Sequence, residues 1–206
     1  GKKINIAQLL SHTAGLSVSG FGGYEKGQAL PTITQILDGA KPANSNTVRS
    51  IFEPGLKFQY SGGGTTVSQL IVEDVTGEKY ADYMLKNVLQ PLGMTQSSFN
   101  QPPSSDKQNL LATGYNGKVE VVGKYHIYPE QAAAGLWTNP TDLAKYIIET
   151  QLSLQGKSNK ILSKEMSIKR LDNNLGVFVQ DYNGTKYFGH SGGNEGFVCH
   201  YIGSLE

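Results

Sequence analysis

The chain has 206 residues, of which 38% are hydrophobic and 17% charged, with a formal net charge of +1. That length allows a sizeable core in one or two domains, and so small a net charge gives no support for a nucleic acid or an anionic membrane as partner. No apolar run approaches the ~18 residues of a membrane span. The single cysteine, Cys199, excludes an internal disulfide, and no cysteine–histidine cluster has metal-site spacing, so neither metal nor cofactor is expected.

Periodicity and punctuation place the elements in chain order. A short helix at about 6–11 precedes a glycine-rich loop through Gly27, and a second at about 32–38 ends at Gly39. Residues 41–53 read as loop. Val67, Leu70, Ile71 and Val75 recur at spacings of three and four, so a helix with one apolar face is expected at about 65–76, with Gly77 as its left-handed C-cap. Tyr60 then stands beside a glycine-rich turn just ahead of that helix, held rigidly and open to a cleft. A helix at about 80–89 is stopped by Pro91. Residues 97–131 read as loops and short strands, with a hairpin turn at Asn116-Gly117 before a strand at about 119–122. A helix at about 141–154 starts at Pro140-Thr141 and turns Leu143, Tyr146, Ile147 and Thr150 inward. A shorter helix at about 164–171 gives way to a hairpin, 175–180 and 185–189, and then to a last strand at about 197–202. The hairpin turn at Asn183-Gly184 also explains Asn183-Gly184-Thr185, which otherwise matches a glycosylation acceptor. The expectation is an α+β chain: a mainly helical unit at 1–170, and antiparallel strands at 171–206.

Two stretches carry chemistry. Gly189-His190-Ser191-Gly192-Gly193 matches G-x-S-x-G, a nucleophile elbow with Ser191 as the nucleophile. An elbow needs a helix straight after the serine, because the sharp strand-to-helix turn is what exposes the hydroxyl. Here more glycine follows, then a β-branched and aromatic run from Phe197 to Ile202 that reads as a strand. Strand, glycine-rich bend, strand is the wrong geometry, so Ser191 is not expected to be a nucleophile. The second stretch is Tyr60-Ser61-Gly62, in front of the helix at 65–76.

These stretches resemble motifs of the penicillin-binding proteins and serine β-lactamases. His190-Ser191-Gly192 is similar to the H-x-G variant of that family's third motif, and Tyr60-Ser61-Gly62 to its second, Tyr-x-Asn. Leu9-Leu10-Ser11-His12-Thr13-Ala14-Gly15-Leu16 resembles its LLxHxSGL signature. Pro91-Leu92-Gly93-Met94 resembles its PLGM turn, and residues 134–143 its GGL-ST-DLA segment. All five fall in family order. The resemblance implies a β-lactamase/transpeptidase-like fold, a helical subdomain against an antiparallel sheet. It also implies acyl-enzyme hydrolysis of a small-molecule or peptide substrate, and a periplasmic or secreted location.

The family attacks with the serine of a Ser-x-x-Lys motif that precedes LLxHxSGL. An internal fragment, incomplete at both ends, is therefore expected, with strand edges left free for self-association. Ser104-Ser105-Asp106-Lys107 has the spacing, but it follows Pro102-Pro103 in a polar stretch without apolar periodicity and reads as loop. The resemblance implies catalytic roles for Tyr60, His190 and the Gly193 amide, the last as part of an oxyanion hole, with Gly62, Ser191, Gly192 and Asn194 contacting substrate. Tyr60 either acts as a phenolate, which requires nearby cations, or relays a proton while a lysine is the base. Gly62 stands where the family has asparagine, and His190 replaces a fixed lysine charge. Both changes point away from penicillin or D-Ala-D-Ala carboxylates, toward other esters, amides or peptides. The alternative is a non-catalytic homologue that serves as a binding module. His12 reads as a structural histidine, His126 and His200 carry no pattern, and Ser61 reads as a turn residue or a substrate contact.

Overall fold

Asn5 accepts a hydrogen bond from the Gln8 amide while Gln8 reaches back to the Asn5 amide, a reciprocal cap that fixes the start of α1 (Ile6–Leu10). Thr32 and Gln35 repeat the device at α2 (Ile33–Asp38). The computed structural model describes residues 2–206 and continues with α3 (Gly62–Thr76) and α4 (Tyr80–Met84), the latter running into a π-turn over Leu85–Leu89. A 3-10 turn at Ser105–Leu110 and a small hairpin, β1 (Tyr115–Asn116) with β2 (Val119–Glu120), lead to α5 (Gln131–Ala134), α6 (Pro140–Leu154) and α7 (Lys164–Asp172). The chain ends in β3 (Phe178–Tyr182), β4 (Thr185–Asn194) and β5 (Phe197–Ser204), an antiparallel sheet in the order β3-β4-β5.

Three apolar clusters hold these pieces together. Leu9, Ala14, Leu16 and Val48, with Val67 and Ile71 of α3, fasten α1 and the following loop to α3. Tyr80, Leu89, Leu92, Met94 and Phe99 form the second, around α4. Leu171, Val177 and Phe188, with Ile147 and Leu154, press α6 and α7 onto the sheet. Gly203 makes that contact possible: a Cβ there would come within 2.7 Å of both Ile147 and Phe188.

Four local expectations need correction. Helix α3 begins at Gly62, so the glycines form its first turn, capped by the Ser61 hydroxyl on the Gly64 amide at 2.9 Å. Glycine is needed there because this turn lies flat on residues 17–19: a Cβ on Gly63 would meet the Ser17 carbonyl at 2.9 Å and Val48 at 2.8 Å. The deepest face of α3 is accordingly Gly62, Gly63, Thr66 and Gln69, while Val75 is 80% exposed. Likewise α6 starts from an Asn139 cap and buries Asp142, Glu149 and Ser153 beside Thr150. Partners explain it, since Asp142 accepts from the Gln96 amide and the Ser97 hydroxyl, and Glu149 from Ser158 and the Lys160 amide. Ser105–Leu110 is a 3-10 turn rather than open loop. Lastly, β3 starts at Phe178, and β4 runs straight through the His-Ser-Gly motif to Asn194, with the bend postponed to Glu195-Gly196. Pairing with β5 through all eight positions from Tyr187 to Asn194 keeps those glycines extended.

Candidate active site

The first wall of the site is set by the end of α1. His12 follows the helix in the left-handed region (φ 56°), which costs strain but throws its ring back toward the segment before α3. Its carbonyl accepts the Gln59 amide at 2.7 Å, and its Nδ1 accepts the Ser61 amide at 3.2 Å. The two bonds bracket Tyr60, whose ring lies 4.2 Å from that of His12 between centroids. Tyr60 remains 37% exposed. Accepting at Nδ1 requires the neutral ring. His12 is held below the ordinary histidine range, first by burial and next by the charge of His190.

The second wall is strand β4. His190 lies in mid-strand opposite Tyr201, partly exposed, with its ring centroid 6.2 Å from that of Tyr60. The two residues expected to face one cleft thus have neighbouring rings. Phe178 stacks against His190 at 5.2 Å, and Phe58 stands 6.2 Å from Phe178, which completes an aromatic lining. His190 Nδ1 lies 2.6 Å from the Ser191 carbonyl oxygen. A carbonyl only accepts, so Nδ1 carries a hydrogen and Nε2 is the ring nitrogen left for other contacts.

Strand β3 begins at Phe178, opposite Gly189, but β4 runs on past it to Asn194. From His190 onward one edge of β4 is thus unpaired among the described residues, and alternate amides of this stretch point away from β5. Gly193 sits there opposite Val198, with nothing within 4 Å of where a Cβ would be. Gly192 faces Cys199, whose Sγ would lie 2.9 Å from an added Cβ. Asn194 ends the strand and donates its side-chain amide to the Ala134 carbonyl at 2.9 Å. Gly62 is buried, its amide bonded to the Ser19 carbonyl at 3.1 Å and its α-carbon packed toward Phe21.

Neither Ser61 nor Ser191 has an activating base among the described residues. Ser61 is 3% exposed and donates its hydroxyl to the Ser17 carbonyl at 2.7 Å. Ser191 is exposed opposite His200, and among the described residues its hydroxyl has no hydrogen bond to a histidine or carboxylate. Ser104 lines a separate depression with Lys79, Asp82, Asn100 and Gln131. Tyr60 is pushed above the ordinary phenol range by burial alone, so as placed here it is a neutral phenol.

His12, Phe58 and Phe178 are the site neighbours that pattern reading passed over. The signal for His12 was its place in the LLxHxSGL-like segment. For Phe58 it was the position two residues before Tyr60. Phe178 carried no signal, because only sheet pairing brings it here. The His12 contact gives a testable pH effect. A base with a depressed folded pKa adds stability above its unfolded value of about 6.5, and that stability is lost as the pH falls below it. The thermal midpoint of the chain is expected to drop on acidification from about pH 6.5, and His12→Ala is expected to cost about 1–3 kcal/mol at neutral pH by orphaning the Ser61 amide. Circular-dichroism melts of both proteins against pH check this.

Against known proteins, the family model described as Beta-lactamase matches residues 1–203. The protein named flp of Staphylococcus aureus (strain N315) is 27% identical over 178 residues, covering 84% of this chain and 33% of flp. The octameric penicillin-binding protein homologue from Pyrococcus abyssi superposes with a TM-score of 0.75 at 24% identity, over 98% of this chain and 49% of that one. The D-amino acid amidase of Ochrobactrum anthropi SV3 gives 0.72 at 20%, over 92% of this chain and 58% of that one. The chain thus spans a third of the length of the flp relatives and about half that of these structures. The shared architecture is the expected α+β, β-lactamase/transpeptidase-like one.

Proposed function

This chain belongs to the Beta-lactamase family, and from that premise we propose that it carries part of the active site of a serine hydrolase acting through an acyl-enzyme on an ester, amide or peptide. The observation that carries the reading is the meeting of Tyr60 and His190, 6.2 Å apart, beside the unpaired edge of β4. The Gly193 amide supplies one oxyanion donor there, a contribution of about 3–4 kcal/mol to the barrier when aimed at the developing charge. Tyr60 acts as a proton relay: burial keeps its proton on, so it donates to the leaving group rather than abstracting from the nucleophile. His190, its ring fixed by the Nδ1–H bond to the Ser191 carbonyl, exchanges a proton through Nε2.

The nucleophile comes from a Ser-x-x-Lys pair of a longer parent, since Ser61, Ser104 and Ser191 are each tied up, remote or without a base. Such a pair places an amine beside the attacking hydroxyl and removes any need for a phenolate. The aromatic lining of Phe58, Tyr60, Phe178 and His190 lacks a fixed cation, which favours neutral acyl substrates over the carboxylate-bearing penicillins. No helix is long and apolar enough to cross a membrane among the described residues. The outer edges of β3 and β5, which pair with no further strand among the described residues, support self-association, and the Pyrococcus abyssi homologue is an octamer.

The test is covalent. A fluorophosphonate reacted with the full-length parent is expected to label one serine outside residues 1–206. Peptide mapping of the label to Ser191 would restore the elbow reading, and no label at all would favour the binding module.

A further inference from the structure

Glu130 is fully enclosed at 0% exposure, and its carboxylate has no hydrogen-bond partner on another residue, only its own backbone amide close by. It precedes α5 at the cap position, yet its side chain makes no cap bond. Its surroundings offer it nothing positive. Tyr24, 2% exposed and bridged to Ile127 through the backbone, faces it from the other side. Tyr128, 3% exposed, faces it from its own segment, with Glu195 of the β4–β5 turn behind it. Helix α3 contributes Gln69, which is neutral and bonded to the Pro129 carbonyl and the Ala132 amide. His126 is occupied at Nδ1 by the Gly22 carbonyl, and Lys26 lies over the Tyr125 ring. A charge buried without a partner costs several kcal/mol, so the acid keeps its proton instead; burial pushes Glu130 up to about 7.

The segment that encloses Glu130 also grips the far end of the candidate site. Tyr128 accepts the Glu195 amide at 2.7 Å, and the Ala134 carbonyl accepts the Asn194 side chain at 2.9 Å. These bonds anchor the end of β4 beyond Gly193.

We propose that Glu130 is a pH-sensitive latch: neutral, it lets residues 127–134 close over it, and on losing its proton it opens that segment and releases Asn194 and Glu195. The sign follows from its raised value. An acid that holds its proton in the folded state stabilises the fold fully below the unfolded value of about 4.5, and this is lost as the pH rises through about 7. The latch acts in the opposite sense to His12, so Glu130→Gln, which is neutral at every pH, isolates it.

The experiment follows thermal unfolding and amide exchange of the 206-residue chain and its E130Q variant from about pH 5 to about pH 8, neither readout depending on the hydrolase reading. The wild-type unfolding constant, relative to E130Q, is expected to rise on the order of a hundredfold across that range. The Glu195 amide is expected to exchange at equal rates in both proteins at the acid end and faster in wild type at the alkaline end. Parallel pH profiles, or equal Glu195 exchange at both ends, would overturn the latch. Should E130Q fail to fold, carbon-13 carboxyl titration of the wild type decides: a midpoint near 7 accompanied by faster Glu195 exchange supports it, and one near 4.5 overturns it.

Discussion

Replacing Tyr60 with phenylalanine or His190 with alanine in the full-length parent is expected to lower kcat/KM for a generic ester by about 10²–10⁴-fold, the range for losing a positioned proton-transfer group. Ser191→Ala is expected to retain measurable turnover and to lose far less than either. The asymmetry follows from geometry. Tyr60 and His190 face one opening across 6.2 Å, whereas the Ser191 hydroxyl has no base beside it among the described residues. Tyr60→Phe keeps the ring that packs at 4.2 Å on His12, so stability changes little and the loss falls on kcat. His190→Ala also removes the stack on Phe178 and the charge that depresses His12, so a small shift in the acid limb of stability accompanies it. Steady-state kinetics of the three variants, each with a melting curve, separates these effects. Loss of all turnover in S191A, with Y60F left intact, would overturn the assignment of roles.

The 206-residue chain by itself is expected to give no acylation by a fluorescent penicillin or a fluorophosphonate, and no ester turnover above background. Groups that act as a unit lose nearly everything together, on the order of 10⁶-fold when the nucleophile is missing from a serine hydrolase. A backbone amide, a phenol that holds its proton and an imidazole do not substitute for it. Intact-protein mass spectrometry after incubation reads the outcome directly. Stoichiometric labelling would sink the expectation. A label on Ser104 would show that the 3-10 turn over Ser105–Leu110 brings the Ser104 hydroxyl and the Lys107 amine together after all, within the depression shared with Lys79 and Asp82.

Much of the local structure was legible because short-range chemistry decides it. Thr32 and Gln35 cap α2 and Gly39 closes it, while Asn183 and Gly184 turn the β3–β4 hairpin. These choices depend on residues within a few positions of each other, which a linear reading sees. The motifs around Tyr60 and His190 were visible for the same reason, since each is a contiguous string beside a regular element.

What the linear reading misplaced depends on neighbours distant in sequence. The glycines after Ser61 were expected to form a turn, and they form a helical turn because residues 17–19 and Val48 leave room for nothing larger. The glycines after Ser191 were expected to bend, and they stay extended because β5 pairs with each of them. The inward faces of α3 and α6 carry Gln69, Asp142 and Glu149 because partners 9 to 63 residues away satisfy them, which apolar periodicity does not register. Motif order and element order by themselves pointed to the α+β class and the family resemblance, and singled out Tyr60 and His190, whose rings the fold brings to 6.2 Å. Tertiary structure alone decided that His12 lies under Tyr60, that Phe178 joins them, and that Glu130 is sealed without a partner. Each of those facts is a contact between segments that only burial brings together, and burial is a property of the folded chain rather than of any stretch of it.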